Sequence, residues 1–222
     1  TFGWGVVFSD QTMERLQAND SRSADWILDQ FAHWDDIEVH YRNHIIRSGG
    51  HGFSGLGRQR LLNLLQKRAL ELGVKLHFEH EIHNLDQFKD ADLIVACDGI
   101  NSWIRDEHAE HFQPDIDVRS NRFVWLGTNK VFEAFTFIFE PTEHGWIWAH
   151  AYRFDKDTST FIIECTEETL RGLGFDQMSQ EESIAVCEKI FSKYLDGHRL
   201  MSNAKHLRGS DMWLNFRRIS CQ

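Results

Sequence analysis

Patterns that hold metals or disulfides are missing from this sequence. Its four cysteines, Cys97, Cys165, Cys187 and Cys221, stand far apart with no C-x-x-C pair. That spacing reads as reduced, mostly buried thiols of a cytoplasmic protein rather than a disulfide frame or zinc site. The chain has 13 histidines, yet no H-x-x-x-H or H-E-x-x-H pair falls on an expected helix, so no metal is expected. No apolar run reaches the ~18–20 residues that span a bilayer, and no signal-peptide pattern opens the chain. Membrane association is therefore not expected. Basic residues are in deficit: 24 Lys and Arg against 34 Asp and Glu leave a net charge of −10. Binding to nucleic acid through its phosphates is disfavoured by that balance. There is no internal repeat and no low-complexity segment.

What the chain does have is aromatic bulk. Trp 8 and Phe 17 against Tyr 3, in 222 residues that are 41% hydrophobic and 26% charged, describe a globular protein of one or two domains. Helices are predicted at Asp10–Ala18, at Ser23–Phe31 with Ser23 as N-cap, and at Arg58–Leu72. In the last of these, Leu61, Leu64, Leu65 and Leu72 recur at helical spacing. Ile37–Ile46 reads as a strand. Short strands at Val74–Phe78 and Leu93–Ala96 follow the third helix, and the region has a β-α-β rhythm of the doubly wound type.

The character changes near Pro114. Phe123–Thr128, Thr136–Glu140, Gly145–Tyr152 and Thr160–Glu164 alternate as strands of an antiparallel sheet. Helices follow at Glu167–Leu173 and at Ser179–Tyr194, the second opened by a Ser179/Glu182 capping box. The fold class is therefore α/β, α+β overall: residues 1–115 belong to a doubly wound domain and 116–222 to a domain on a mostly antiparallel sheet.

The segment from Leu93 to Arg105 carries the strongest functional signal. An apolar strand running into Asp98-Gly99 suits the rim of an α/β sheet, where ligands bind beyond the strand ends. Gly99 lets backbone approach a ligand, Asp98 can accept from hydroxyls, and Arg105 is a fixed cation suited to phosphate. An ordinary strand–turn–helix corner would look the same. Arg58, following Gly55-Leu56-Gly57 at a helix N-terminus, could bring a cation and free N–H groups to a phosphate. His150 and Tyr152, at i and i+2 on one strand, share a face. With Trp125 they either face a substrate or pack the sheet.

The spacing D-G-x-x-S-x-x-R from Asp98 to Arg105 resembles the DG motif of the flavin-dependent aromatic hydroxylases. Arg58 to Gly73 resembles that family's R-x-x-L-x-x-x-L-x-x-x-A-x-x-x-G helix. Gly3-Trp4-Gly5-Val6-Val7 resembles the loop that passes beside its flavin. The runs Asn121–Thr128, Ala149–Tyr152, Ser159–Cys165 and Trp213–Arg218 are similar to one branch of it, which acts on aryl-CoA thioesters and, in violacein synthesis, on a tryptophan derivative.

The resemblance implies FAD held by Gly5, Val6, Arg58, Asp98, Gly99 and Arg105. It also implies NAD(P)H as co-substrate, O₂, and hydroxylation of an activated aromatic ring, with Trp125, His150 and Tyr152 on the substrate side. An aryl-CoA thioester such as salicylyl-CoA or anthraniloyl-CoA is the leading substrate. An indole or tryptophan derivative is the alternative, and a non-catalytic flavoprotein module is the rival outside enzymology. No catalytic residue is singled out, and a homo-oligomer stays open. The halogenase string W-x-W-x-I-P is absent. So are the family's G-x-G-x-x-G and G-D motifs, which implies a fragment of a longer flavoprotein that binds FAD weakly by itself.

Overall fold

A computed structural model describes residues 3–204 and 209–221. The first part of the chain runs β1 (Gly5–Ser9), α1 (Asp10–Asn19), α2 (Ser21–Leu28), β2 (Ala32–Trp34), β3 (Ile37–Tyr41), β4 (His44–Ser48), β5 (Phe53–Gly57) and α3 (Arg58–Glu71). Two short helices, α4 (Trp103–Glu107) and α5 (Ala109–Phe112), lead to the long strand β6 (Asp115–Thr128). Then come β7 (Phe135–Thr142), β8 (Gly145–Arg153), β9 (Ser159–Cys165), α6 (Glu167–Gly172), α7 (Gln180–Ile190), α8 (Ser192–Leu195), β10 (Leu200–Met201) and β11 (Leu214–Ser220).

Helix starts follow local capping chemistry. Ser9 accepts from the Thr12 amide at the head of α1, and Ser179 accepts from the Glu182 amide while the Glu182 carboxylate accepts from the Ser179 amide. Both arrangements satisfy donors that a helix N-terminus otherwise leaves free. The α2 start differs from expectation. Asp20, not Ser23, flanks it, because the Ser23 hydroxyl donates to the Asp20 carboxylate at 2.7 Å. That carboxylate also receives Arg68 of α3 in a bidentate pair at 2.9 Å, and its pKa is held down to about 2, chiefly by this bond. The predicted helix over 179–194 breaks at Phe191 into α7 and α8.

β-strand pairing builds two sheets. The smaller has the order β1-β5-β2 and is antiparallel. The larger runs β10-β6-β9-β8-β7-β3-β4, with β11 also on β6. The run 37–46, read as one strand, is a hairpin. Arg42 and Asn43 take positive φ (49° and 64°) and reverse the chain between β3 and β4, the geometry of a two-residue turn matched to strand twist. β3 then pairs parallel to β7, so the larger sheet draws strands from both sides of residue 115.

Alternation divides the larger sheet into two faces. Val124, Leu126, Ile138, Ile147, Ala149, Phe161 and Ile163 point to one side, where Leu170, Cys187, Phe191 and Leu195 of α6–α8 close the main core. Burial in this core pushes the Cys165 thiol up to about 12. A second cluster, Met13, Ala24, Ile27 and Leu56, is joined by Leu61 and Leu64 of α3.

Two predicted strands are not formed. Val74–Phe78 and Leu93–Ala96 have no ladder partner, and Phe78, Leu93 and Val95 are 65%, 78% and 70% exposed. An apolar run becomes a strand only where a neighbour pairs its N–H and C=O groups. Among the described residues, none lies beside these two. Asp98 therefore does not sit at the end of a parallel strand. No helix among the described residues is long and apolar enough to cross a membrane.

Candidate functional site

Ladder registers turn the second face of the large sheet into rows of side chains. The middle row runs Trp125, Ile162, His150, Phe137, Val39 and Ile46 across β6, β9, β8, β7, β3 and β4. On one flank lie Gly127, Thr160, Tyr152 and Phe135, and on the other Phe123, Glu164, Trp148 and Phe139. No helix of the main core covers this face, which is unusually aromatic.

The chain's own first strand covers the inner flank. The Gly5 amide donates to Thr160 Oγ1 at 3.0 Å, and the Tyr152 hydroxyl donates to the Gly5 carbonyl at 3.0 Å. The Asn203 side-chain amide donates to the Gly3 carbonyl at 2.6 Å. Two glycines permit the approach. A Cβ on Gly127 would meet the Trp4 ring at 2.6 Å, and a Cβ on Gly3 (φ +94°) would meet Trp125 at 2.9 Å. Trp34 stacks on Tyr152, with centroids 6.2 Å apart. The strand thus forms a wall along one side of the middle row.

His150 is the polar group inside this apolar row. Its ring lies 6.0 Å from Phe137 and 6.4 Å from Phe135, and buried Nε2 has no hydrogen-bond partner. Burial lowers its pKa, so the imidazole is neutral at pH 7. A neutral ring nitrogen without a partner can accept from, or donate to, a ligand group. Tyr152 shares the His150 face as expected, but its hydroxyl is committed to Gly5. Burial raises that phenol to about 12, which keeps it a donor. Trp125 lies in the middle row beside the wall.

The cofactor candidates are spread more widely. Gly5 has both backbone groups bound within the protein, and Val6 continues β1 opposite Leu56. Arg58 is exposed at the head of the 14-residue helix α3. Gly57, its N-cap, supplies no side-chain acceptor, and no acid stands in the first turn. The Arg58 amide is not free, as the sequence suggested, but donates to the Trp4 carbonyl at 2.9 Å, so the exposed guanidinium is what this helix start offers to a phosphate group. Gly99 has φ +87° and open space where a Cβ would stand, with Asp98 exposed beside it. Arg105 is tied into its own loop. It donates to the Ile100 carbonyl at 2.9 Å and to Asp106 at 2.8 Å, with 12% of its side chain exposed. It braces the Asp98–Ser102 turn instead of offering a free cation. No hydrogen bond or ion pair among the described residues joins Arg58 to Asp98 or Arg105.

Single-position reading missed Thr160, Trp148, Phe137 and Asn203. Trp148 was visible as the i−2 partner of His150, whereas Thr160 and Phe137 reach the site through the ladder register of neighbouring strands. Asn203 comes from a distant loop and carried no signal.

No protein-family model matches the chain. Over 224 residues it is 37% identical to salicyloyl-CoA 5-hydroxylase of a Streptomyces species, covering 97% of this chain and 42% of that protein. It is 31% identical over 166 residues to protodeoxyviolaceinate monooxygenase of Chromobacterium violaceum, covering 74% of this chain and 44% of that one. A third relative, 3-hydroxy-4-methyl-anthranilyl-[aryl-carrier protein] 5-monooxygenase of Streptosporangium sibiricum, is 30% identical over 164 residues, covering 74% and 46%. The chain thus spans less than half the length of these curated relatives.

Among solved structures, 2-methyl-3-hydroxypyridine-5-carboxylic acid oxygenase superposes with a TM-score of 0.71 at 14% identity, over 100% of this chain and 62% of that one. PqsL, a probable FAD-dependent monooxygenase of Pseudomonas aeruginosa, gives 0.61 at 12% identity, over 90% and 63%. Sequence kinship of this extent, joined to the shared mixed α/β fold, makes the chain homologous to part of these named hydroxylases and monooxygenases.

Proposed function

We propose that the chain forms the substrate side, and part of the flavin side, of a monooxygenase that hydroxylates an activated aromatic ring carried as a CoA thioester. The observation that carries this reading is the neutral, unpartnered Nε2 of His150 in an aromatic row walled by β1. An aryl ring would lie on Phe137 and Trp125, and its hydroxyl or amino group would take the free imidazole nitrogen. Apolar walls keep water away from the reacting carbon.

FAD, when bound, would supply oxygen transfer from O₂, with NAD(P)H as reductant. The Arg58 guanidinium would hold one phosphate, Gly99 and Asp98 would meet the cofactor's backbone and hydroxyls, and Gly5–Val6 would pass beside it. Arg105 would keep the Asp98–Ser102 turn in shape. Two of the relatives are named for aryl groups delivered on a carrier, CoA in one and a carrier protein in the other, which favours a thioester over a free acid. The violacein-pathway relative favours an indole as the second reading.

Titrating salicylyl-CoA, anthraniloyl-CoA, salicylate, anthranilate and tryptophan while following tryptophan fluorescence tests this. Thioesters should quench the emission of Trp125 and Trp148 at far lower concentration than the free acids, and His150→Ala should raise the concentration required at least tenfold. A response to tryptophan with none to either thioester would replace this reading with the indole one. In the flavin-loaded protein the same thioesters should stimulate NAD(P)H oxidation.

A further inference from the structure

In a chain of net charge −10, Arg119, Arg217 and Arg218 stand together at one edge of the larger sheet. β11 pairs with β6 through a bulge between Asn215 and Arg217. Such an irregularity bends a strand and re-aims its side chains. Here it lays Phe216 on Phe123, with ring centroids 4.3 Å apart. Beyond that stack, Arg119, Asn121, Glu164, Phe216, Arg217 and Arg218 line a hollow of about 600 Å³.

The acids nearby are already engaged. Glu164 accepts from Asn121 at 2.9 Å and from Trp148 at 3.2 Å, and Asp117 pairs with Arg119 at 3.1 Å. Arg217 donates only to Asn101 Oδ1, at 3.2 Å. Neither Arg217 nor Arg218 has a carboxylate partner among the described residues, and both are exposed. Adjacent on β11, Arg217 and Arg218 leave the strand toward opposite faces, so the hollow beside Phe216 is flanked by one guanidinium without a counter-charge on each side of the strand, an arrangement that suits a ligand with several phosphate oxygens and a planar base.

We propose that this hollow binds the phosphorylated nucleotide end of the CoA thioester, a proposal that rests on the substrate reading above. The same sheet face connects it to the aryl site. From Trp125 to Arg119 is six residues along β6, roughly 20 Å at the rise of an extended strand. That distance is comparable with an extended pantetheine arm. Phe123, Glu164 and Trp148 form the track between, so the ring would rest near His150 while the phosphates meet Arg217 and Arg218. The salt-sensitive end of the substrate is thereby separated from the apolar end.

Binding of salicylyl-CoA and of salicylyl-pantetheine, which has the arm and ring but no phosphate, should be measured on the wild-type chain and on Arg217→Ala/Arg218→Ala. The CoA ester should bind at least tenfold more tightly than the pantetheine ester. The double variant should bring the two together, Arg218→Lys should keep part of the difference, and rising salt should shrink it. Thermal midpoints of the variants should stay unchanged, since both side chains are exposed. Equal affinity of the two esters for the wild-type chain, or a difference that survives in the double variant, overturns the proposal. Tighter binding of NADPH than of CoA, lost in the same variant, also overturns it, by assigning the hollow to the reductant. If CoA binds through the arginines but neither ester gains from its aryl group, the aryl site fails and the nucleotide site stands.

Discussion

His150 and Tyr152 lie two residues apart on β8 and illustrate how one face can hold two different kinds of polar group. The Tyr152 hydroxyl finds the Gly5 carbonyl at 3.0 Å and is consumed in holding β1 to the sheet. Tyr152→Phe should therefore cost about 1–3 kcal/mol of stability, the range for a buried acceptor left unmet, read as a lower denaturation midpoint. His150 Nε2 meets nothing, so burial alone acts on its titration and lowers its pKa. The sign follows from linkage. Below the ordinary value of about 6.5 the unfolded imidazole takes up a proton that the folded one resists, so stability falls as pH drops through that value. Thermal unfolding followed between pH 7.5 and pH 5.5 should show a decline that His150→Phe abolishes. An unchanged decline in the variant would assign the pH dependence to another group.

At the scale of elements, the site is a matter of how β1 meets β6, β8 and β9. Thr160 Oγ1 receives the Gly5 amide, and Gly127 leaves room for Trp4. Thr160→Val should unlatch the wall at a cost of about 1–3 kcal/mol. Gly127→Val should do so by overpacking, typically about 1–3 kcal/mol. Both should also weaken aryl-thioester binding, measured by tryptophan quenching, because the wall forms one side of the row. Much of this frame was legible in the sequence. The strands β6–β9 alternate cleanly, α3 carries its leucines at helical spacing, and the Ser179/Glu182 box marked the α7 start to the residue. What was not legible is what needs a partner elsewhere in the chain. The parallel joining of β3 to β7 has no local signal. Leu93–Ala96 has the composition of a buried strand but lacks the neighbour that would make it one. Arg105 looked like a free cation because its bond to the Ile100 carbonyl depends on the turn it braces.

On the scale of the whole molecule, apolar surface is distributed unevenly. One end is ordinary, with a closed core between α6–α8 and the large sheet. The other exposes Leu70 (60%), Leu72 (62%), Phe78 (65%), Leu93 (78%) and Val95 (70%), on or beyond α3. Apolar exposure of this extent promotes association, and the backbone of residues 93–97 leaves its hydrogen-bonding groups open to another strand. The chain alone should therefore bind a hydrophobic dye and self-associate with rising concentration. Leu93→Lys with Val95→Lys should reduce both without lowering the thermal midpoint, since neither side chain is packed. The same region bears on the flavin. Gly99 and Asp98 sit in a segment that no ladder holds, Arg105 is occupied by Asp106, and Arg58 has no bonded connection to any of them. Phosphate contacts of about 1.5–3 kcal/mol each help affinity only when they are held in register. FAD titrated into the isolated chain should bind more weakly than low-micromolar, read from flavin fluorescence. Low-micromolar binding would mean that Arg58 and the Asp98–Gly99 turn assemble a competent site without further support.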